Sequence, residues 1–184
     1  MNIRLEELDY IYNYNPFRDE KGRFDFGKID SLSIEQIQSF RRSLYKNPKE
    51  YQKANNFLKS IIGSGGSIYQ KAKDLNFNPE KEIKLSKALM GKNSIEVYRG
   101  QDNEFDDSYK TDSRWSEDRD IANEKGNIVY MSYANKKTVL IHPKVLYSSY
   151  DDFDKKMTEH FASWEKEYVL DVKKKDVHIV SYKF

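Results

Sequence analysis

The chain has no cysteine in its 184 residues, and that absence alone removes disulfides, thiolate metal sites and a cysteine nucleophile. Histidine is nearly as scarce. His142, His160 and His178 are too scattered to supply metal-ligand spacing, so no metal is expected. Neither sign of charge dominates: 32 Lys and Arg stand against 30 Asp and Glu, a net +2. That balance argues against an extended nucleic-acid or membrane surface. No run is apolar enough to span a bilayer, and Met1 to Asn15 carries Glu6, Glu7 and Asp9 where a signal peptide would be basic and then apolar. A cytoplasmic protein is expected where it is made, with delivery into another cell left open. Apolar residues are few, at 38%, but an aromatic share of 14%, from 14 Tyr and 10 Phe with two Trp, supplies large groups for a core short of Leu and Val. The length suits one compact domain.

The first half, residues 1–92, reads as helical. Ser33 with Gln36 three residues on is a capping box, and Ile34, Ile37, Phe40 and Leu44 keep helical spacing up to Asn47-Pro48. Pro48 suits a first helical position, and Tyr51, Ala54, Phe57, Leu58 and Ile61 carry a second apolar stripe to the tract Gly63-Ser64-Gly65-Gly66-Ser67. That tract lacks the Lys-Ser/Thr ending and the preceding strand of a phosphate loop, and reads as a flexible connection. A further helix starts at Asn78-Pro79, runs through Ile83, Leu85 and Leu89, and ends at Gly91.

Residues 93–184 change period. Ile95 to Arg99, Ile128 to Tyr133, Thr138 to Ile141, Tyr168 to Val172 and Val177 to Tyr182 are β-branched or aromatic runs bounded by turn formers. Between them Ser116 is placed as the N-cap of a short helix that ends at Gly126, with Ala122 facing inward. Ser148 to Ser163 reads as a long surface loop, and Lys173-Lys174-Lys175 as a solvated hairpin turn.

Three fragments in this half carry candidate chemistry: Val97-Tyr98-Arg99-Gly100, Ser113-Arg114-Trp115-Ser116 and Trp164-Glu165-Lys166-Glu167. An arginine at a strand end can grip a pyrophosphate, a serine can fix that arginine or a carboxylate, and paired carboxylates can serve a developing sugar cation and its nucleophile. Each alone has a plainer reading. Tyr-Arg-Gly is usually a surface arginine before a turn, Glu-Lys-Glu the charged face of a strand, Ser116 a helix cap, and either tryptophan a core or loop anchor.

In order and at this spacing, the fragments resemble the mono-ADP-ribosyltransferases of the Arg, Ser, Glu-x-Glu type, in particular their bacteriophage and bacterial-toxin members. The likeness covers roughly residues 95–184. It departs where many relatives have Ser-Thr-Ser and this chain has Ser113-Arg114-Trp115, so either Ser113 or Ser116 answers to the active-site serine. The resemblance implies an α+β fold, a helical part packed on a split antiparallel β-sandwich, with NAD as co-substrate in a cleft between the sheets and no metal. It implies that Glu167 touches the ribose and stabilises the cation formed as nicotinamide leaves, and that Glu165 orients or deprotonates the acceptor. A glutamate at that first position implies arginine on a target protein, because a guanidinium needs a carboxylate to become nucleophilic. Arg99 and Gly100 would meet a phosphate, Ser113 or Ser116 would support Glu167 or Arg99, Trp115 would wall the nicotinamide site, and Trp164 would receive the target's arginine. Asn15 to Phe24 resembles a segment near domain ends in phage head-morphogenesis proteins and their associated transferases, with a polar turn pinned by Phe17 and Phe24 as the alternative. Two competing functions stay open: NAD hydrolysis at the same site, and a silent binding module that keeps the fold without turnover.

Overall fold

The computed structural model describes residues 32–62, 67–104, 113–150 and 166–182. Four helices come first: α1 (Ile34–Ser43), α2 (Pro48–Ile62), α3 (Ile68–Asp74) and α4 (Glu80–Met90). Their ends follow local chemistry. Ser33 Oγ accepts the Gln36 N–H at 3.3 Å while Gln36 Oε1 accepts the Ser33 N–H at 2.8 Å, the reciprocal bonds of a capping box. Gly91, at φ +54°, closes α4. α3 was not foreseen in the sequence; Ser67, at the edge of the glycine tract, caps it by accepting the Tyr69 N–H at 3.2 Å.

The second half supplies β1 (Ser94–Gln101), β2 (Ser113–Ser116), α5 (Arg119–Lys125), β3 (Ile128–Asn135), β4 (Val139–Ile141), α6 (Pro143–Tyr147), β5 (Glu167–Leu170), a 3-10 turn (Lys174–Asp176) and β6 (His178–Tyr182). The architecture is therefore α+β, with a six-stranded antiparallel sheet in the order β4-β5-β2-β1-β3-β6. Where the sequence predicts two sheets, hydrogen bonding joins the strands into one. The joint is slight: β1 and β3 share register from Ser94↔Asn135 to Gln101↔Ile128, and β2 and β5 from Ser113↔Leu170 to Ser116↔Glu167, but β1 and β2 meet only at Tyr98↔Ser116. This seam separates a β4-β5-β2 half from a β1-β3-β6 half.

The connections show that the halves are folded over one another. In a flat sheet, β3 and β4 would lie four strand steps apart, roughly 19 Å. The link from Asn135 to Val139 can span at most ~14 Å. Thr138 Oγ1 donates to the Tyr133 carbonyl at 2.8 Å and accepts the Asn135 N–H at 3.0 Å, which fixes this tight return. Residues of both halves accordingly share one buried cluster, with Val97, Tyr130 and Ala134 from one and Trp115, Val139, Tyr168 and Leu170 from the other. On the other face of the first half, Ile141 and Val169 pack with Ile37, Phe57, Leu58, Ile61, Leu85 and Leu89 of the helices and with Val145 and Leu146 of α6. The helical layer thus rests on β4-β5-β2.

A buried ion pair ties this layer together. Arg41 of α1 donates Nε and Nη2 to the two oxygens of Glu82 on α4, both at 2.9 Å, and both side chains are fully buried. Tyr45 Oη donates to Glu82 at 2.8 Å, and Arg41 Nη1 donates to the Ser148 carbonyl and hydroxyl at 3.0 and 3.2 Å. Burial pulls the Arg41 pKa down, but Glu82 outweighs it and leaves the pKa raised; Tyr45 is raised by burial and by Glu82.

Three expectations are corrected. Lys173 to Lys175 make no hairpin turn, because β5 and β6 belong to different halves and are not neighbours; the segment crosses between halves, with the Asp171 N–H on the Thr138 carbonyl at 2.8 Å and Ser132 Oγ donating to the Asp176 carbonyl at 2.8 Å. Ser116 does not cap α5; Asp118 does, accepting the Asp120 N–H at 2.8 Å. The segment expected to be a surface loop begins with Ser148 and Ser149, both fully buried, after α6. Residues 151–163 of that segment, most of the glycine tract and Asn15 to Phe24 lie outside the described residues.

Candidate functional site

The seam is where the motif residues meet. Ser116 at the end of β2 stands opposite Tyr98 of β1 on one side and Glu167 of β5 on the other, so one cross-strand row joins the three fragments. Arg99 follows Tyr98 directly. Its Nε donates to Gln101 Oε1 at 2.9 Å, and among the described residues no carboxylate forms an ion pair with it. Burial lowers its pKa, the neighbouring charge of Arg114 lowers it further, and Glu167 pulls it back up. Arg99, Arg114 and Glu167 thus share one electrostatic environment. Arg114 Nη1 donates to the Ile62 carbonyl at the end of α2 at 3.0 Å and stands 3.7 Å from Glu167 Oε2, with side-chain exposures of 33% and 19%.

The glutamate's backbone is set by the residue before it. Lys166 has φ +34°, a left-handed conformation that non-glycine residues seldom adopt. Its Nζ donates to Glu117 Oε2 at 3.1 Å, while Tyr168 Oη donates to Glu117 Oε1 at 2.7 Å. Glu117, one residue beyond Ser116, therefore clamps both flanks of Glu167. The Tyr168 ring meets the edge of His142 at 5.3 Å. His142 caps α6 by accepting the Lys144 N–H on Nδ1 at 3.1 Å, and burial, with Lys144 nearby, pushes its pKa down to about 3.

Gly100 is required for packing. A Cβ there would lie 1.8 Å from the Ala122 carbonyl oxygen of α5, and one on Gly126 would lie 2.3 Å from the Gln101 nitrogen. Only glycines let α5 seat against the end of β1. Asp118 donates its N–H to Ser116 Oγ at 3.0 Å, which ties the same helix start to the seam.

The other predicted residues divide. Trp115 is fully buried between the two halves and is a core residue rather than the wall of an open site. Ser113 stands opposite Leu170, at the far end of β2 from Glu167, so register favours Ser116 as the serine of the site. Trp164 and Glu165 lie outside the described residues, as does His160. Sequence reasoning assigned no functional role to Arg114, and to Glu117 only that of an acidic residue at a helix start. A cation between Ser113 and Trp115, where relatives of the resembled family carry threonine, was the available signal for the first; the second had none, since its partners are set by register. Among the described residues no cluster of three His, Asp or Glu could hold a metal ion, and no helix is long and apolar enough to cross a membrane.

Compared with family models, with curated proteins and with solved structures, the chain shows no significant match. The reading of this site therefore rests on its geometry and its motifs.

Proposed function

We propose that the protein is an NAD-dependent mono-ADP-ribosyltransferase that modifies arginine on a target protein, a phage or bacterial effector acting in the cytoplasm of the cell that makes or receives it. The observation that carries this reading is the seam: Arg99, Ser116 and Glu167 come from three distant fragments and meet where the two sheet halves join by a single residue pair. A seam of this kind in an α+β domain suits the split sandwich of that family.

The residues fit the substrate. NAD supplies a ribose whose bond to a cationic nicotinamide leaving group breaks with positive charge developing on the sugar. Arg99, partly buried and without a carboxylate partner among the described residues, offers a planar fork for phosphate. Glu167 brings negative charge to where the sugar becomes positive, an interaction that strengthens only as the bond lengthens. Ser116, beside it in register, fixes the row on which Glu167 stands. Glu165 takes the proton that the acceptor guanidinium must lose as its nitrogen bonds the sugar carbon. Trp164 offers the aromatic face that receives that guanidinium.

Incubating the protein with labelled NAD and a bacterial lysate, beside Glu167→Ala, tests the reading. Label on protein that the substitution abolishes, mapped to arginine by mass spectrometry, is the expected result. Nicotinamide release without labelled protein would replace transfer with hydrolysis, and no release in any lysate would leave a binding module.

A further inference from the structure

Glu167 sits between two residues that one carboxylate holds. β2 and β5 pair from Ser113↔Leu170 to Ser116↔Glu167, and Glu117 and Lys166 stand one step past the end of that ladder. Side chains alternate across a strand, so Tyr168 lies on the face opposite Ser116 and Glu167. Glu117 joins that opposite face: its Oε1 accepts from Tyr168 Oη at 2.7 Å and its Oε2 from Lys166 Nζ at 3.1 Å. The tyrosine is a fixed point, buried, with its ring against the edge of His142 at 5.3 Å. Lys166 is the opposite case, with a side chain 54% exposed and a backbone at φ +34°. An ion pair so exposed adds little to stability, and a left-handed lysine costs free energy. Such a conformation persists where its surroundings hold it, and it clusters at functional sites.

We propose that Glu117 is a positioning residue for Glu167, so that the serine fragment works as Ser116-Glu117, one residue in register with the glutamate and the next fixing the backbone on both sides of it. The reaction it serves rests on the transferase reading; the clamp rests on the hydrogen bonds. A carboxylate that stabilises a developing sugar cation must keep a fixed distance from it, and a shift on the order of 1 Å costs about a hundredfold in rate. After Glu167, the ladder with β2 holds the chain through Leu170. Before it, Lys166 has left the ladder, and the bond to Glu117 ties the turn back to the end of β2. Lys166 is also the middle residue of Glu165-Lys166-Glu167, so the same bond acts at the link between the two glutamates. Glu117 does this without touching NAD or the acceptor.

The test compares the whole chain with Glu117→Ala and Glu117→Gln in two ways: nicotinamide release from NAD with arginine methyl ester as acceptor, and amide hydrogen exchange of residues 166–168. Glu117→Ala is expected to lower kcat by roughly tenfold to a hundredfold with KM for NAD within about twofold. Exchange at residues 166–168 should quicken while the thermal midpoint stays unchanged. Glu117→Gln, whose amide oxygen still accepts from Tyr168 but offers Lys166 no charge, should fall between. Adding Tyr168→Phe to Glu117→Ala should lower kcat no further, because both remove the same bond. An unchanged kcat in Glu117→Ala, or a loss of kcat matched in both variants by a fall in thermal midpoint, would overturn the proposal and leave the transferase reading intact. A raised KM with kcat intact would also overturn it, by making Glu117 part of NAD binding. If the unsubstituted chain releases no nicotinamide, the transferase reading falls and exchange alone decides the clamp: faster exchange in Glu117→Ala upholds it, and unchanged exchange overturns it.

Discussion

Two arginine–glutamate pairs in this molecule have the same chemistry and opposite surroundings. Arg41 and Glu82 are fully buried, meet through two bonds of 2.9 Å, and have their remaining polar atoms taken up by Tyr45 and Ser148. Arg114 and Glu167 are partly exposed and 3.7 Å apart, beside a second cation. The saturated pair has nothing left to offer a ligand, so its role is to fix α1, α4 and the end of α6 in place. The loose pair stabilises little. Bond geometry, more than residue identity, separates framework from site.

Breaking the framework pair should have the largest effect on folding. Arg41→Met alone leaves Glu82 charged and buried, and is expected to destabilise by about 3–5 kcal/mol in a denaturant titration, whereas Arg41→Met with Glu82→Leu recovers most of the loss. A single substitution no worse than the double would erase the distinction drawn between the two pairs. Breaking the loose pair should leave stability within about 1 kcal/mol and strike activity instead. Glu167→Ala is expected to lower the transfer rate on the order of a thousandfold, read as labelled target per unit time.

The seam offers a sharper probe. Gly100→Ala forces a methyl against the Ala122 carbonyl, so a loss of about 1–3 kcal/mol is expected in thermal unfolding, as in overpacked cores. Activity should fall with it, because α5 also carries the Asp118 N–H that holds Ser116. Substituting Ala at Gly91, which has nothing within 4 Å of a built Cβ but a positive φ, tests conformational cost without the clash.

Protonation gives a smaller effect of defined sign. His142 is held neutral in the fold with a pKa pushed down to about 3, against about 6.5 for a free imidazole. Its folded pKa is depressed, so between those values the unfolded chain binds the extra proton, and stability must fall as pH drops from about 6.5 toward 3. A loss on the order of 2–4 kcal/mol across that window is expected from this group. His142→Asn, which can still cap α6, should flatten that part of the pH–stability curve; an unchanged slope would place the titration elsewhere. Least of all should Lys166→Gly matter to stability, since relief at φ +34° offsets the exposed pair with Glu117, for a net change within about 1 kcal/mol.

What the sequence made legible was local. The capping box at Ser33, Pro48 at a helix start and Gly91 at a helix end each act on neighbouring residues, and each appears where expected. β2 was not legible because four residues carry no period; their strand character comes from register with β5. α6 is nearly as short, and its His142 cap and Pro143 start could be read only once β4 had ended. The Lys173 to Lys175 crossing looked like a turn because local composition cannot report that two strands belong to different halves. At the candidate site, Arg99 and Glu167 were proposed from motif spacing, and their placement on strands that flank the seam is long-range geometry that spacing only suggests. Trp115 was assigned a ligand-facing role because its ring suits one, but strand alternation turns it into the core.

The short return between Asn135 and Val139 gives the folded-over sheet a mechanical asymmetry. Asn135 pairs with Ser94, so the tight link closes the halves at the start of β1, while Arg99 and Gly100 lie toward the opposite end. The two halves resemble tweezers riveted at one end, with a single weak weld at Tyr98 and Ser116 partway along. A load that pries them apart meets the taut chain at the rivet, the Lys173 to Asp176 crossing and one residue pair at the weld. The arginine and the glutamate sit beside that weld, away from the rivet.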